Sequence, residues 1–345
     1  MKRLILLFLS LFFVEFSSFA QVNQTYFVLE NALKQPDMVY KLFLSNHADA
    51  GTLEKIGTLK NLQSLTIDKI HLDAIPEEIG DLPNLTRLTI RNTNIKTLPT
   101  TLSNLTSLVH LEVTDNQMVA IPDAIGKLVN LEHLNLMNNK LIVVPSVIGN
   151  LVNLESLNLE NNHIVELPES IGELKKIKNI NLKGNDLSQL PETISGLVGL
   201  KTLDLTNNKL TSIPQTIGEI TGLTTLTLSR NELKTIPENL GNLLNLTELS
   251  LDENKINTLP ESIGKLKNLL KLNLYNNKLS SIPESIGNLQ FLNEFIIKNN
   301  QLKSLPDSVE NLKKLTELNL AKNEFTIKEY NRIQILLPDA KVSLY

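Results

Sequence analysis

The chain has 345 residues, 41% of them apolar and 20% charged, with no Cys, no Trp and a formal net charge of −4. A pI near 5.8 excludes a basic nucleic-acid footprint and a strong draw to an anionic membrane surface. Without Cys there is no disulfide, no thiolate nucleophile and no zinc–thiolate or Cys-ligated iron–sulfur site.

Residues 1–20 read as a signal peptide. Lys2 and Arg3 give the positive start, and Leu4 to Val14 form an apolar run broken only by Ser10. Ser18 and Ala20 place small residues ahead of cleavage after Ala20. As a helix the run spans about 16 Å, short of a hydrocarbon core of about 30 Å. The expected product is secreted or periplasmic, with cell-surface association open and no integral membrane segment after cleavage.

Segment 21–61 reads as an N-terminal cap with a degenerate coil. Tyr26, Phe27, Leu29 and Leu33 supply apolar groups, and Leu42-x-Leu44 sits 23 residues before Leu65-x-Ile67. Leu53 and His47 stand where later coils carry Pro and Asn.

From 62 to 325 the chain repeats every 23 residues, and eleven prolines from Pro76 to Pro306 keep that spacing without a slip. One coil runs Leu131, Leu134, Leu136, Asn139, Leu141, Val144, Pro145, Ile148, Gly149, Leu151. Leu134 and Leu136 are two apart and so share the inner face of a short strand. The other apolar positions close around them, and neighbouring coils bury what one coil cannot. Strands that all run the same way give a parallel sheet, with a helical or irregular return path outside it. The Leu65 column recurs twelve times, and rungs at roughly 4.8 Å make a sheet about 50–55 Å along the stack.

An Asn column runs through Asn116, Asn139, Asn162, Asn185, Asn208, Asn231, Asn254, Asn277, Asn300 and Asn323. A side chain that donates and accepts satisfies backbone groups where the coil leaves the strand. Ile70 and Thr93 break this column, so the first rungs are expected to be looser. Pro145 and its equivalents call for extended backbone outside the ladder. The Gly149 column tolerates Ser103, Ser195 and Glu310, so a glycine-only backbone angle is not expected there. Residues 326–345 read as a C-terminal cap. Ile327, Tyr330, Ile333, Leu336 and Leu337 form a helical stripe that Pro338 stops, and Val342 to Leu344 add an edge strand. The mature chain, 21–345, is read as one domain.

These columns resemble the leucine-rich repeat proteins of the 23-residue Leu-Pro-x-x-Ile-Gly type over residues 42–325. The lead-in Ala32-Leu33-x-x-Pro36-x-x-Val39-x-x-Leu42-x-Leu44 is similar to that of secreted bacterial members found in spirochaetes and Bacteroidetes. The resemblance implies an α/β fold: a leucine-rich repeat solenoid curved as a horseshoe, its parallel sheet concave and its convex face irregular or short-helical. It implies export and the binding of host or bacterial proteins.

No constellation carries catalysis. There is no Cys domain of the ligase kind, no Gly-rich loop ending in Lys-Ser/Thr, and no triad-like spacing. No enzyme activity, cofactor or metal is expected, although His110, His133 and Glu112 on adjacent rungs have the residue types of a zinc site and of a pH-responsive cluster. Asn84, Asn104 and Asn245 head Asn-Leu-Thr sequons that matter only in a eukaryotic secretory route. The expected function is recognition of a protein partner through the concave face. A structural or envelope-organising role and a glycan or small-molecule receptor remain as alternatives. Residues flanking the inward pair are free of core duty, so specificity resides there. Lys271, Tyr275, Ile296 and Lys298 form the favoured patch, an aromatic anchor in a mixed surround with Glu248 and Asp252 upstream. His110, Glu112, His133, Met137 and Glu160 form the rival patch. Val119, Ile142, Val143 and Val165, with Val129, Val147 and Val152 on the far arc, suggest a flank contact or a weak homodimer.

Overall fold

The structure is a computed structural model that describes residues 24–45 and 50–344. The signal peptide expected at 1–20 and the His47 position lie outside the described residues. Two compact units are distinguished, Met1–Lys140 and Leu141–Tyr345.

In the first unit β1 (Thr25–Tyr26), β2 (Lys41–Ser45), β3 (Ser64–Asp68), β4 (Arg87–Arg91), β5 (His110–Thr114) and β6 (His133–Asn135) pair in parallel and in chain order. Leu42, Leu65, Leu88, Leu111 and Leu134 stand side by side, one repeat per rung. The cap contributes one short helix, α1 (Leu29–Ala32), which buries Leu29 and Ala32.

The second unit continues the design with β7 (Ser156–Asn158), β8 (Asn179–Asn181), β9 (Thr202–Asp204), β10 (Thr225–Thr227), β11 (Glu248–Ser250), β12 (Lys271–Asn273), β13 (Glu294–Ile296), β14 (Glu317–Asn319) and β15 (Lys341–Ser343). All pairings are parallel. The return path of each regular coil is a five-residue 3-10 helix such as Ser146–Asn150, entered through a proline in extended conformation. Each unit is therefore a leucine-rich repeat solenoid, with sheet on one side and short helices on the other.

The repeat's apolar columns fill the space between these layers. Leu131, Leu134, Leu136, Leu141, Val144, Ile148 and Leu151 are all at most 2% exposed. Truncating one such Leu to Ala costs about 2–5 kcal/mol. Phe295 takes a Leu position and is fully buried. The glycine column answers a packing demand. A Cβ on Gly264 would sit 2.3 Å from the Ser285 carbonyl oxygen of the next coil.

The Asn column is the polar counterpart of the Leu columns. Asn208 Oδ1 accepts the Leu187 N–H at 3.0 Å, while its Nδ2 donates to the carbonyls of Leu182 and Leu205, each at 3.0 Å. The same three bonds recur at Asn185, Asn231, Asn254, Asn277 and Asn300. Each Asn thus ties its own coil to the one before. Where Thr93 replaces Asn, its N–H and hydroxyl both donate to Asn116 Oδ1, at 3.0 and 2.8 Å. Its carbonyl accepts the Leu72 N–H at 3.0 Å. Thr93 is fully buried, and β3 to β5 have five residues against the three of β6 to β14.

One position before the ladder, each rung from Lys69 to Lys322 puts a residue in the left-handed region. Asn138, Asn207, Asn276 and Gly184 do so, and so do Arg230, Glu253 and Lys322, at φ between 55 and 68°. The Asn-Asn doublets of the sequence therefore hold two different jobs: a left-handed turn, then a hydrogen-bonded wedge. Asn tolerates that angle better than most residues.

The C-terminal helix forms as α2 (Ile327–Leu336), with the Thr326 hydroxyl accepting the Glu329 N–H at 3.2 Å. Ile333 is fully buried and Leu337 nearly so, but Ile327 is 72% exposed and does not belong to the seal. The stripe at the chain end packs on one side only, and Ile327 falls outside that contact. Arg332 ties the helix to the last regular coil by donating to Asp307 and the Leu305 carbonyl, and bonds Glu329 within the helix. Tyr330 donates its hydroxyl to the Val342 carbonyl at 3.2 Å. The edge strand is Lys341–Ser343, one residue earlier than expected, and pairs Val342 with Leu318.

Two outcomes follow from this architecture. Asn208→Ala leaves the Leu187 N–H buried without its acceptor and takes one of two amide donors from the Leu182 and Leu205 carbonyls, which Asn185 and Asn231 still serve; it lowers stability by about 1–3 kcal/mol. An unchanged urea midpoint would contradict the wedge role. Deleting residues 327–345 bares Leu320, which is fully buried in the intact chain, and drives aggregation. A truncated chain that sediments as a monomer with an unchanged melting temperature would contradict the seal.

Candidate interaction face

Side chains that alternate with the inward Leu pair line the outer surface of the sheet, by the two-residue period of a strand. On β12 these are Lys271 and Asn273, followed by Tyr275. On β13 they are Glu294 and Ile296, followed by Lys298. Register sets Ile296 beside Asn273 and Lys271 beside Glu294. Backbone N–H groups of Glu253 and Asn276 donate to the carbonyls of Tyr275 and Lys298 at 2.8 and 2.9 Å, which carries the same registry beyond the strand ends.

Tyr275, Ile296 and Lys298 are half-buried and Lys271 is exposed. The Tyr275 N–H donates to Asn273 Oδ1 at 3.1 Å, which fixes the backbone under the ring. Along this column Asp252, Tyr275 and Lys298 follow one another rung by rung, an aromatic between opposite charges. Asp252 is held by Ser229 Oγ at 2.6 Å and Asn273 Nδ2 at 3.0 Å. Lys271 is already engaged, its Nζ 3.7 Å from Glu294 Oε2. Of the two positive charges expected here, Lys298 alone forms no ion pair among the described residues.

The surroundings add apolar surface that the sequence reading missed. Leu270, just ahead of Lys271, is 39% exposed, and Phe291 on the next coil is 51% exposed. In the Phe291 column Asn245 and Asn268 donate Nδ2 to carbonyls of the preceding coil, each at 2.8 Å. Phe291 has no such donor, and about half of its surface is open to solvent. The column holds Asn at 61, 84, 130, 153, 245 and 268 and small or polar residues at 107, 176, 199, 222 and 314, so Phe291 is its one aromatic. The same ladder holds the sequon residues Asn84 and Asn245, whose amides are committed to the carbonyls of Lys60 and Thr221.

The rival patch divides. In the first unit His110 and His133 are in register and their rings stack face to face, centroids 4.5 Å apart and planes within 3°. Parallel rings send their nitrogen lone pairs along parallel lines, which does not converge on one metal ion. Among the described residues there is no group of three or more His, Cys, Asp or Glu placed to hold one. Partial burial, then the Arg87 charge and the neighbouring His133, hold His110 below the usual imidazole range, and Glu132 opposes them. Glu112 pairs in register with Asn135, and the half-buried Met137 donates its N–H to Asn135 Oδ1 at 3.2 Å. Glu160 belongs to the second unit, where Lys183 Nζ lies 3.1 Å away and Asn181 Nδ2 donates to it at 3.0 Å.

Of the flank valines, Val119 is 53% exposed in the first unit, and Ile142, Val143 and Val165 are 50, 50 and 44% exposed in the second. Val165 donates its N–H to the Ile142 carbonyl at 3.2 Å, so these two sit on adjacent coils. No helix among the described residues is long and apolar enough to cross a membrane.

Family comparison agrees with this architecture. Residues 38–143 match a leucine-rich repeat region, and overlapping leucine-rich repeat matches cover residues 152–279. No curated protein matches the chain. Among solved structures, a leucine-rich repeat protein of Leptospira interrogans is 32% identical with a TM-score of 0.68, over 93% of this chain and 100% of that one. An internalin of Listeria monocytogenes is 25% identical with a TM-score of 0.62, over 84% of this chain and 88% of that one. A plant peptide hormone receptor, solved in complex with RGF2, is 28% identical with a TM-score of 0.74 over 89% of this chain, which spans 50% of the receptor chain.

Proposed function

The chain belongs to the leucine-rich repeat family, and we propose that it is an exported bacterial member of the 23-residue Leu-Pro-x-x-Ile-Gly type that binds a protein partner. Residues 1–20 direct export and are removed, and 21–345 acts as one binding domain in the periplasm or outside the cell. Recognition is non-enzymatic: the repeat columns build the scaffold, and the chain has no Cys for thiolate chemistry.

One observation carries the reading. Tyr275 and Ile296 stand partly exposed on the sheet face, at positions the core does not use, with Asp252 and Lys298 on either side of the ring. A rigid aromatic beside a β-branched side chain within a polar rim is the usual make-up of a binding hot spot. Leu270 and Phe291 extend the apolar surface onto the flank. The complex of the similar plant receptor with RGF2 supports recognition of a peptide or protein by this kind of array. The exposed Ile142, Val143 and Val165 supply a secondary contact, including a weak homodimer.

Affinity capture on the chain without residues 1–20 identifies the partner. Tyr275→Ala then weakens its binding by about 1–2 kcal/mol or more, with melting unchanged. Wild-type affinity in both Tyr275→Ala and Ile296→Lys removes this patch and makes His133→Ala with Met137→Ala the next pair to measure.

A further inference from the structure

We propose that the column Arg87, His110 and His133 is a proton-gated site for the carboxylates of an acidic polypeptide segment. The three residues face outward on consecutive strands of the first unit, and the register sets Arg87 beside His110 and His110 beside His133. The imidazoles stack with centroids 4.5 Å apart. Arg87 is exposed and forms no ion pair among the described residues. Its neighbour on the same strand differs: Arg91 is closed off by Asp68 at 3.2 Å.

The charges around the column decide what it binds. From β5 comes Glu112, flanked in register by the uncharged Thr89 and Asn135. Glu132 precedes His133, and Arg91 with Asp68 forms a neutral pair. With both imidazoles neutral, Arg87, Glu112 and Glu132 sum to a net negative patch. With both protonated, the same patch is net positive and presents three cationic donors in a row.

Partial burial opposes protonation of His110 first, and the Arg87 charge and the stacked His133 add to it. The folded pKa of His110 is therefore depressed. Its contribution to stability is present above the unfolded imidazole value near 6.5 and is lost as pH falls through the folded value. A carboxylate laid along the column reverses that repulsion through charge-assisted hydrogen bonds. Acidification thus weakens the free column and strengthens its ligand.

Binding of a hexa-aspartate peptide to the full chain, read by calorimetry at pH 5.5 and 7.5, tests the site independently of Tyr275. The wild-type chain binds at least tenfold tighter at pH 5.5. That gain is lost in His110→Asn/His133→Asn and reduced in Arg87→Gln, with melting at pH 7.5 unchanged in both. The stacked ring protons lie upfield of their unstacked positions, the His110 titration ends below the ordinary imidazole range, and the peptide moves that titration to higher pH. Equal affinity at the two pH values, the same gain in the double variant, or a histidine titration that ignores the peptide overturns the proposal.

Discussion

A coil that turns back on itself every 23 residues leaves backbone N–H and C=O groups inside the stack, away from water. The structure answers with one side chain. From Asn185 onward each ladder Asn accepts an N–H 21 residues back and donates to carbonyls 26 and 3 residues back, as at Asn231. Those separations admit no slip. One inserted residue would pull the amide off its acceptors and turn the inward Leu pair outward. The unbroken period of the prolines and leucines is the sequence trace of this constraint.

Around the wedge the other columns fall into place. The left-handed residue before it redirects the chain, the apolar positions close the coil, and the proline starts the 3-10 return. Stacking then removes the glycine Cβ, because the next coil's carbonyl occupies its place at Gly264. With the interior fully assigned, the outer columns of the sheet are left free, and they are where residue types diverge from rung to rung.

What the sequence disclosed follows the same division. Inward Leu pairs, the Asn ladder, the proline-started return and the final helix were legible because each depends on a repeated residue type with a single physical use. The left-handed column was not, because Arg230, Glu253 and Lys322 share a backbone angle that their side chains do not announce. Ile327 was misplaced because a period shows that a face is apolar, not how much of it finds a neighbour. In the candidate site the period of two puts Tyr275 and Ile296 outward, and both are partly exposed. It gave no warning that Lys271 reaches Glu294, since a long side chain chooses its partner by rotamer.

The central claim is that the Asn side chains, and not the leucines alone, hold each coil to its neighbour. Native-state hydrogen exchange tests it directly at the amides that donate to Asn Oδ1: Leu187, Leu210, Leu233, Ile256 and Leu279. These amides lie outside every strand and helix. The account predicts that they exchange as slowly as the strand amides Leu203 and Leu226, by global opening only. Exchange as fast as that of exposed turn amides would contradict it.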